Sequence, residues 1–322
     1  MIFRSKASMG EEYAHLLRKA EQKSLETARK SIFCGAIAWD TPPMTITVPV
    51  TSASKERVAQ PKRVLMCRPT HFTVSYRINP WMFPENPTDQ RLAEAQWQTL
   101  YDAYRDLGID VELIDPLPGL PDMVYAANGG FVLDGIAYGA RFRYPERQPE
   151  GPAYLDHLET LGFTPRPAAA LNEGEGDFLL VGDVILAASG FRSDEEAHAE
   201  LAKVFGREVV SLRLINPSFY HLDTALAVLD DETIAYFPEA FDEASRDELE
   251  RRFPDAIRAT EEDAAVLGLN LFSDGRHVVM AEQAVTLRQE IDARGFQTVG
   301  VNLSELLLGG GGVKCCTLEL RS

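Results

Sequence analysis

Apolar and polar positions alternate along most of the chain in a pattern that repeats. Four segments, GGFVLDGIAYGA, DFLLVGDVILAAS, TALAVLDDETIAYF and NLFSDGRHVVMA, each place short apolar runs on either side of a tight polar turn. The pattern predicts four β-hairpins, with turns at Asp134-Gly135, Gly182-Asp183, Asp230-Asp231 and Asp274-Gly275. These turns recur every 44–48 residues. A helix-like segment follows each hairpin, over 151–161, 194–204, 243–252 and 283–294, and then another short strand. Ser193-Asp194 and Asp242 stand where helix-capping residues belong.

A repeat of this length with several strands per unit suggests blades around an axis, because one such unit cannot bury its apolar face alone. The strand predicted over 63–67, the helix over 88–107 and a last strand over 313–320 complete a fifth unit from both ends of the chain. The expectation is an α/β ring of five units, with VKCCTLEL as an integral strand.

Residues 1–61 differ in character. EEYAHLLRKAEQKSLETARK has helical periodicity, and TPPMTITVPVTSASKERVAQPK reads as a linker, so the globular domain is expected over 62–322. The extension reads as an appended helix, an interaction segment or, with a start at Met44, sequence upstream of the true beginning. Its apolar run Ile32–Trp39 is far shorter than the roughly 20 residues of a membrane span, and no signal peptide is apparent.

With 322 residues, 45% of them hydrophobic, the chain can bury a sizeable core. Its formal charge of -17 repels phosphate backbones and anionic lipid, which argues against nucleic-acid or membrane partners and is compatible with a cationic small molecule. The four cysteines, Cys34, Cys67, Cys315 and Cys316, make a poor disulfide framework and lack zinc spacing. A reducing cytoplasm fits them best. Self-association into a homo-oligomer is left open.

In a ring of hairpins, polar residues at the strand starts converge on the axis. PDMVYAANGG, NEGEGDF and NPSFYHLDT precede the first three hairpins, and GGGGVKCC opens the closing strand. A cysteine, a histidine and acids placed so suit nucleophilic catalysis, with the histidine shuttling protons. Taken singly, each has a plainer reading: a buried cysteine as a small hydrophobe, His221 as a turn residue, EGEGD as a solvated turn, the glycines as a loop.

The motifs PDMVYAANGGFV, EGEGDFLLVGD, GFRSD, YHLDTALAVL and GGGGVKCCTLEL, in this order, resemble those of the guanidino-group modifying enzymes. These include arginine deiminase, dimethylarginine dimethylaminohydrolase, glycine amidinotransferase and the arginine dihydrolases. The resemblance covers about residues 62–322 and implies a five-bladed α/β propeller, the pentein fold, with its site on the pseudo-fivefold axis. It implies Cys315 as nucleophile, Cys316 as a packing neighbour on the opposite strand face, His221 as general acid/base and Glu173 as the carboxylate orienting it. Glu175 rivals Glu173, because EGEGD is one residue longer than the deiminases' EGGD. Asp177 and Asp223 are implied as guanidinium or main-chain ligands.

Arg141 and Arg192 are candidates to grip an α-carboxylate, with a surface ion pair as the alternative for each. Where the deiminases carry the aspartate of FTRD, this chain has YAAN, so Asn128 stands in its place; here it is more similar to the arginine dihydrolases, as is Asn79 in YRINPWM. A neutral amide can hold a ureido group as well as a guanidinium. The reaction implied is hydrolysis of the guanidinium group of L-arginine or Nω-methylated arginine through a covalent thiouronium, giving citrulline or ornithine and requiring no metal or organic cofactor. The alternatives are an amidinotransferase using an amine acceptor and a non-catalytic binding protein on the same fold.

Overall fold

In the computed structural model of the protein, the described residues are 57–322. The readings made for residues 1–56, including the predicted helix, Cys34 and Met44, lie outside them. Residues 57–61, assigned above to the linker, are fixed to the domain: Arg57 pairs with Asp230 at 2.5 Å and covers the Phe296 ring, and Gln60 N–H donates to Asp274 C=O at 2.7 Å. No helix among the described residues is long and apolar enough to cross a membrane.

The strands form five three-stranded sheets of one topology. Four come from the predicted hairpins plus the strand after each helix: β3 (Gly130–Leu133), β4 (Ile136–Gly139) and β5 (Thr164–Arg166); β6 (Phe178–Val181), β7 (Val184–Ser189) and β8 (Glu208–Arg213); β9 (Leu226–Val228), β10 (Ile234–Tyr236) and β11 (Ile257–Arg258); β12 (Phe272–Ser273), β13 (His277–Ala281) and β14 (Gln297–Val301). In each, the first two strands pair antiparallel and the third joins the second in parallel. The fifth sheet is built from both ends of the chain. β1 (Arg63–Cys67) pairs in parallel with β2 (Asp110–Ile114) and antiparallel with β15 (Leu318–Glu319).

The hairpin turns form for local reasons. Asp134 and Gly135 both adopt positive φ, +52° and +73°, as the tightest hairpin turn requires. At Asp230-Asp231, which has no glycine, the Asp230 carboxylate accepts from the Glu232 and Thr233 N–H groups and closes the turn instead. Between second and third strands run α1 (Gln90–Asp106), α2 (Glu150–Thr160), α3 (Glu195–Phe205), α4 (Glu243–Arg252) and α5 (Val285–Ala293). Asp242 caps α4 as expected, accepting from Ser245 N–H. Asp194 occupies the cap position of α3 but turns its carboxylate to Arg143, and Ser193 points inward to Asp177.

Alternate residues of a strand face opposite sides, and on the central strand of each sheet both sides are buried. On β1, Val64 and Met66 enter a core shared with β12, β13 and β14, whereas Leu65 and Cys67 enter one shared with β3 and β4. A third core joins β3 and β4 to β6 and β7, and the fourth runs from β6–β8 through β9–β11 to β13. Packing thus passes from each sheet to the next and returns to the first.

The chain end departs from expectation. Residues 313–316 form a turn, with Cys316 N–H on Gly312 C=O and Thr317 N–H on Lys314 C=O, and only Leu318–Glu319 is strand. The alternation of VKCCTLEL imitates a strand, but hydrogen bonds from Gly312 and Cys315 N–H to the Asn270 side chain divert the backbone. Cys316 is therefore not across a strand from Cys315; both are buried in the same apolar core.

Candidate active site

The three acids of EGEGD diverge. A single turn over Gly174–Gly176 separates them, and it demands glycine at 174, where φ is +55° and a Cβ would lie 2.4 Å from Gly130 C=O. Glu173 accepts from His221 Nε2 at 2.8 Å and from Arg192 Nη1 at 2.9 Å. Glu175 turns the other way, to Lys314 Nζ at 2.5 Å, Glu319 N–H at 3.0 Å and Arg321. Asp177 accepts from Ser193 Oγ at 2.6 Å and Leu222 N–H at 3.2 Å. Of the two rivals, Glu173 is the acid on the histidine.

Glu173 is fully buried, which alone would raise its pKa; the Arg192 guanidinium and His221 outweigh burial and hold it well below the usual carboxylate range. A charged Glu173 requires the His221 proton on Nε2, leaving Nδ1 as the basic nitrogen. Nδ1 is buried and has no hydrogen-bond partner. Arg192 is not a surface arginine: it is 2% exposed, sandwiched by the Tyr144 and Tyr220 rings, and its Nη2 donates to Ile78 C=O.

Asp223 lies two residues beyond His221, on the short helical turn Leu222–Ala225. Its Oδ2 is 3.3 Å from Cys315 Sγ, while Oδ1 is buried with no partner. Burial pushes this carboxyl up to about 7. Burial, then the Asp223 charge, raises the Cys315 thiol well above its ordinary value. The loop ahead of the cysteine passes so close to Tyr125 that a Cβ at Gly311 would sit 2.3 Å from its ring.

Asn128 is committed within the protein: Oδ1 accepts from Arg147 Nη1 at 2.8 Å and Nδ2 donates to Glu173 C=O at 3.3 Å. Asn79 ties two loops together, donating to Gly309 C=O and accepting from Trp81 and Met82 N–H. Arg141 is at the surface with its guanidinium on Ala169 C=O, and no described hydrogen bond joins it to the cluster.

Two residues of the cluster were not expected. Arg147 is buried, paired with Glu150 at 2.7 Å and 3.9 Å from Glu173; nothing in RYPER distinguishes it from a surface arginine. Asn270 binds Cys315 through backbone and sulfur. It stands just ahead of the fourth hairpin, in GLNLF, which carries no acid, histidine or cysteine to mark it. Among the described residues, no group of three or more His, Cys, Asp or Glu is placed to hold a metal.

Chemically the cluster joins a thiol, a carboxylate at its side and a histidine whose free nitrogen can carry a proton. Comparison with known proteins gives it a context. Residues 78–322 match the family model described as N,N dimethylarginine dimethylhydrolase, eukaryotic. An N(G),N(G)-dimethylarginine dimethylaminohydrolase of Mycobacterium tuberculosis is 53% identical over 264 residues, covering 82% of this chain and 87% of that protein. The bifunctional arginine dihydrolase/ornithine cyclodeaminase ArgZ of Synechocystis is 38% identical, covering 80% of this chain but 37% of its own length. A solved structure of the ArgZ N-terminal domain bound to substrate superposes with a TM-score of 0.78 at 37% identity, covering 81% of this chain and 98% of that one. The chain therefore belongs to the dimethylarginine dimethylaminohydrolase family of guanidino-group modifying enzymes, hydrolases of C–N bonds.

Proposed function

We propose that the protein is a cysteine-dependent hydrolase of Nω-methylated arginine, with the five sheets arranged as the blades of a propeller and the Cys315 cluster on its axis. The observation that carries the reading is the pairing of Cys315 Sγ with Asp223, whose second oxygen is buried and unpartnered, beside the Glu173–His221 pair. A guanidinium is a permanent planar cation that donates in its own plane, so a buried carboxylate with a free oxygen is a fitting acceptor. Its charge would draw the pKa of both Asp223 and Cys315 down, countering the burial that raises them.

Cys315 gives its proton to His221 Nδ1, and the sulfur bonds to the guanidinium carbon. The C–N bond to dimethylamine then breaks as His221 returns the proton to the leaving nitrogen, leaving a thiouronium. A water gives one proton to His221 as its oxygen adds to the carbon, and the C–S bond then breaks while the new hydroxyl loses its remaining proton to solvent, where dimethylamine becomes dimethylammonium, releasing citrulline. The His221 proton returns to the sulfur. Glu173, pinned by Arg192, holds the ring so that Nδ1 does the shuttling. Free buried thiols of this kind persist in a reducing cytosol.

The 53% identity to a dimethylaminohydrolase favours the methylated substrate. A second reading, arginine dihydrolase, is favoured by the likeness to ArgZ and by the sequence motifs around Asn128 and Asn79, although both amides are engaged within the protein. Mass spectrometry of products from asymmetric dimethylarginine and, separately, L-arginine tests both, with Cys315→Ser as control. Citrulline and dimethylamine from the former are expected. Ornithine and ammonia from arginine would install the second reading, and no Cys315-dependent product from either would overturn both.

A further inference from the structure

Asn270 makes four hydrogen bonds around the nucleophile. Its Oδ1 accepts from Gly312 N–H at 3.1 Å and Cys315 N–H at 3.0 Å, and its Nδ2 lies 3.0 Å from Asp223 C=O and 3.2 Å from Cys315 Sγ. Backbone N–H groups can only donate, so the end they meet must be the oxygen. The amide orientation is thereby fixed. Of the two Nδ2 hydrogens, one serves the Asp223 carbonyl and the other faces the sulfur and, beside it, the Asp223 carboxylate.

Cys315 Sγ thus sits between two donors, the Asn270 side chain at 3.2 Å and the Gly312 N–H, and an acceptor, the Asp223 carboxylate at 3.3 Å, so that Asn270 is its one described side-chain donor. The two side-chain contacts respond oppositely to ionisation. A neutral thiol uses Asp223 as its acceptor and gains little from Nδ2, since sulfur is a weak acceptor. Once the proton leaves, Asp223 repels the sulfur, while the contact with Nδ2 becomes a charge-assisted hydrogen bond. A donor that counts mainly for the charged nucleophile favours attack over the resting state. It must also be neutral, because a cation here would pair with Asp223 and compete with a guanidinium.

We infer that Asn270 is a catalytic residue, the side-chain donor that stabilises the Cys315 thiolate. The inference rests on Cys315 as the nucleophile of the proposed hydrolase, yet its test needs no substrate. Thiolate ultraviolet absorbance is followed against pH in the full-length protein and in Asn270→Ala, each referenced to the same chain carrying Cys315→Ser. The Cys315 titration should move upward by roughly one to two pH units, and kcat should fall roughly 10- to 100-fold with KM changed less than about threefold, the loss of one hydrogen bond to a charged group.

A residue that only braced the loop would lower the melting temperature and leave the titration in place. A folded Asn270→Ala whose Cys315 titrates as in the wild type overturns the inference. Should that variant not fold, Asn270→Asp keeps the acceptor for both backbone N–H groups and removes the donor; its carboxylate makes the expected rise larger, so an unmoved titration there is equally fatal. If neither guanidine is hydrolysed by the wild type, the proposed function falls while the titration still decides Asn270.

Discussion

The two halves of the site meet burial in opposite ways. On the histidine side charge answers charge: Glu173 has Arg192 at 2.9 Å, His221 at 2.8 Å and Arg147 at 3.9 Å, and its carboxyl is held low. On the cysteine side Asp223 has only neutral partners, the Cys315 thiol and the Asn270 amide, and none on its second oxygen, and burial pushes it up to about 7. Lys314, whose charge eases Asp223, is itself bonded to Glu175. The first half is complete in the protein. The second would gain from a cation such as the guanidinium of the proposed substrate.

The largest expected effect therefore comes from removing that acceptor. Asp223→Asn should lower kcat/KM at least roughly 100-fold, about 3 kcal/mol, as when one partner of a buried charged pair is lost. It should also lower the Cys315 pKa, because the anion that raises it is gone. Steady-state kinetics beside a thiol titration checks both, and an enzyme with near-normal kcat/KM would move the guanidinium to another carboxylate.

Breaking the histidine side should instead cost stability. Arg192→Met leaves Glu173 buried with His221 and the more distant Arg147 as counter-charges. Urea denaturation is expected to show a loss of about 2–3 kcal/mol, the low end for an opened buried pair because partners remain. A variant as stable as the wild type would mean that Glu173 is protonated in the resting protein.

The comparison also predicts a pH profile. Asp223 must be charged to receive a cation, and its raised pKa means that the charged form predominates only above about 7. As pH falls below that, kcat/KM should drop roughly tenfold per unit. The limb should vanish in Asp223→Asn. If it persists, it belongs to Asp177, pushed up to about 6, or Glu150, pushed up to about 7.

How much of this was legible in the sequence follows from the range of each signal. The hairpins were readable because period-two patterning and Asp-Gly turns are local, and the fifth unit in outline because its halves were what remained, although its strand β2 was not anticipated. The closing strand misled: VKCC alternates like a strand, and only the distant Asn270 bends it. Cys315, His221 and Glu173 belong to types that advertise chemistry. Arg192 was visible as a residue but not as the partner of Glu173, and Arg147 looked like any surface arginine, since the contacts that tie them to the site, Arg192 to Glu173 and Arg147 to the Asn128 amide, each span 19 residues and leave no local pattern.

The smallest expected effect on turnover concerns the other acid of the same loop. Glu175 is fully buried and ties down the segment carrying Cys315, through Lys314, Arg321 and the Glu319 N–H. In Glu175→Gln, Lys314 keeps the Glu319 carboxylate at 3.5 Å and the Thr317 carbonyl at 3.1 Å, so the loss should be about 1–2 kcal/mol of stability. Amide hydrogen exchange should quicken over 313–320 while kcat falls less than about tenfold, because the His221 pair is untouched. Glu173→Gln should do the reverse, crippling kcat with the chain end still protected. Equal losses of kcat in the two variants would show that the loop acts as one unit and that the two halves are not separate.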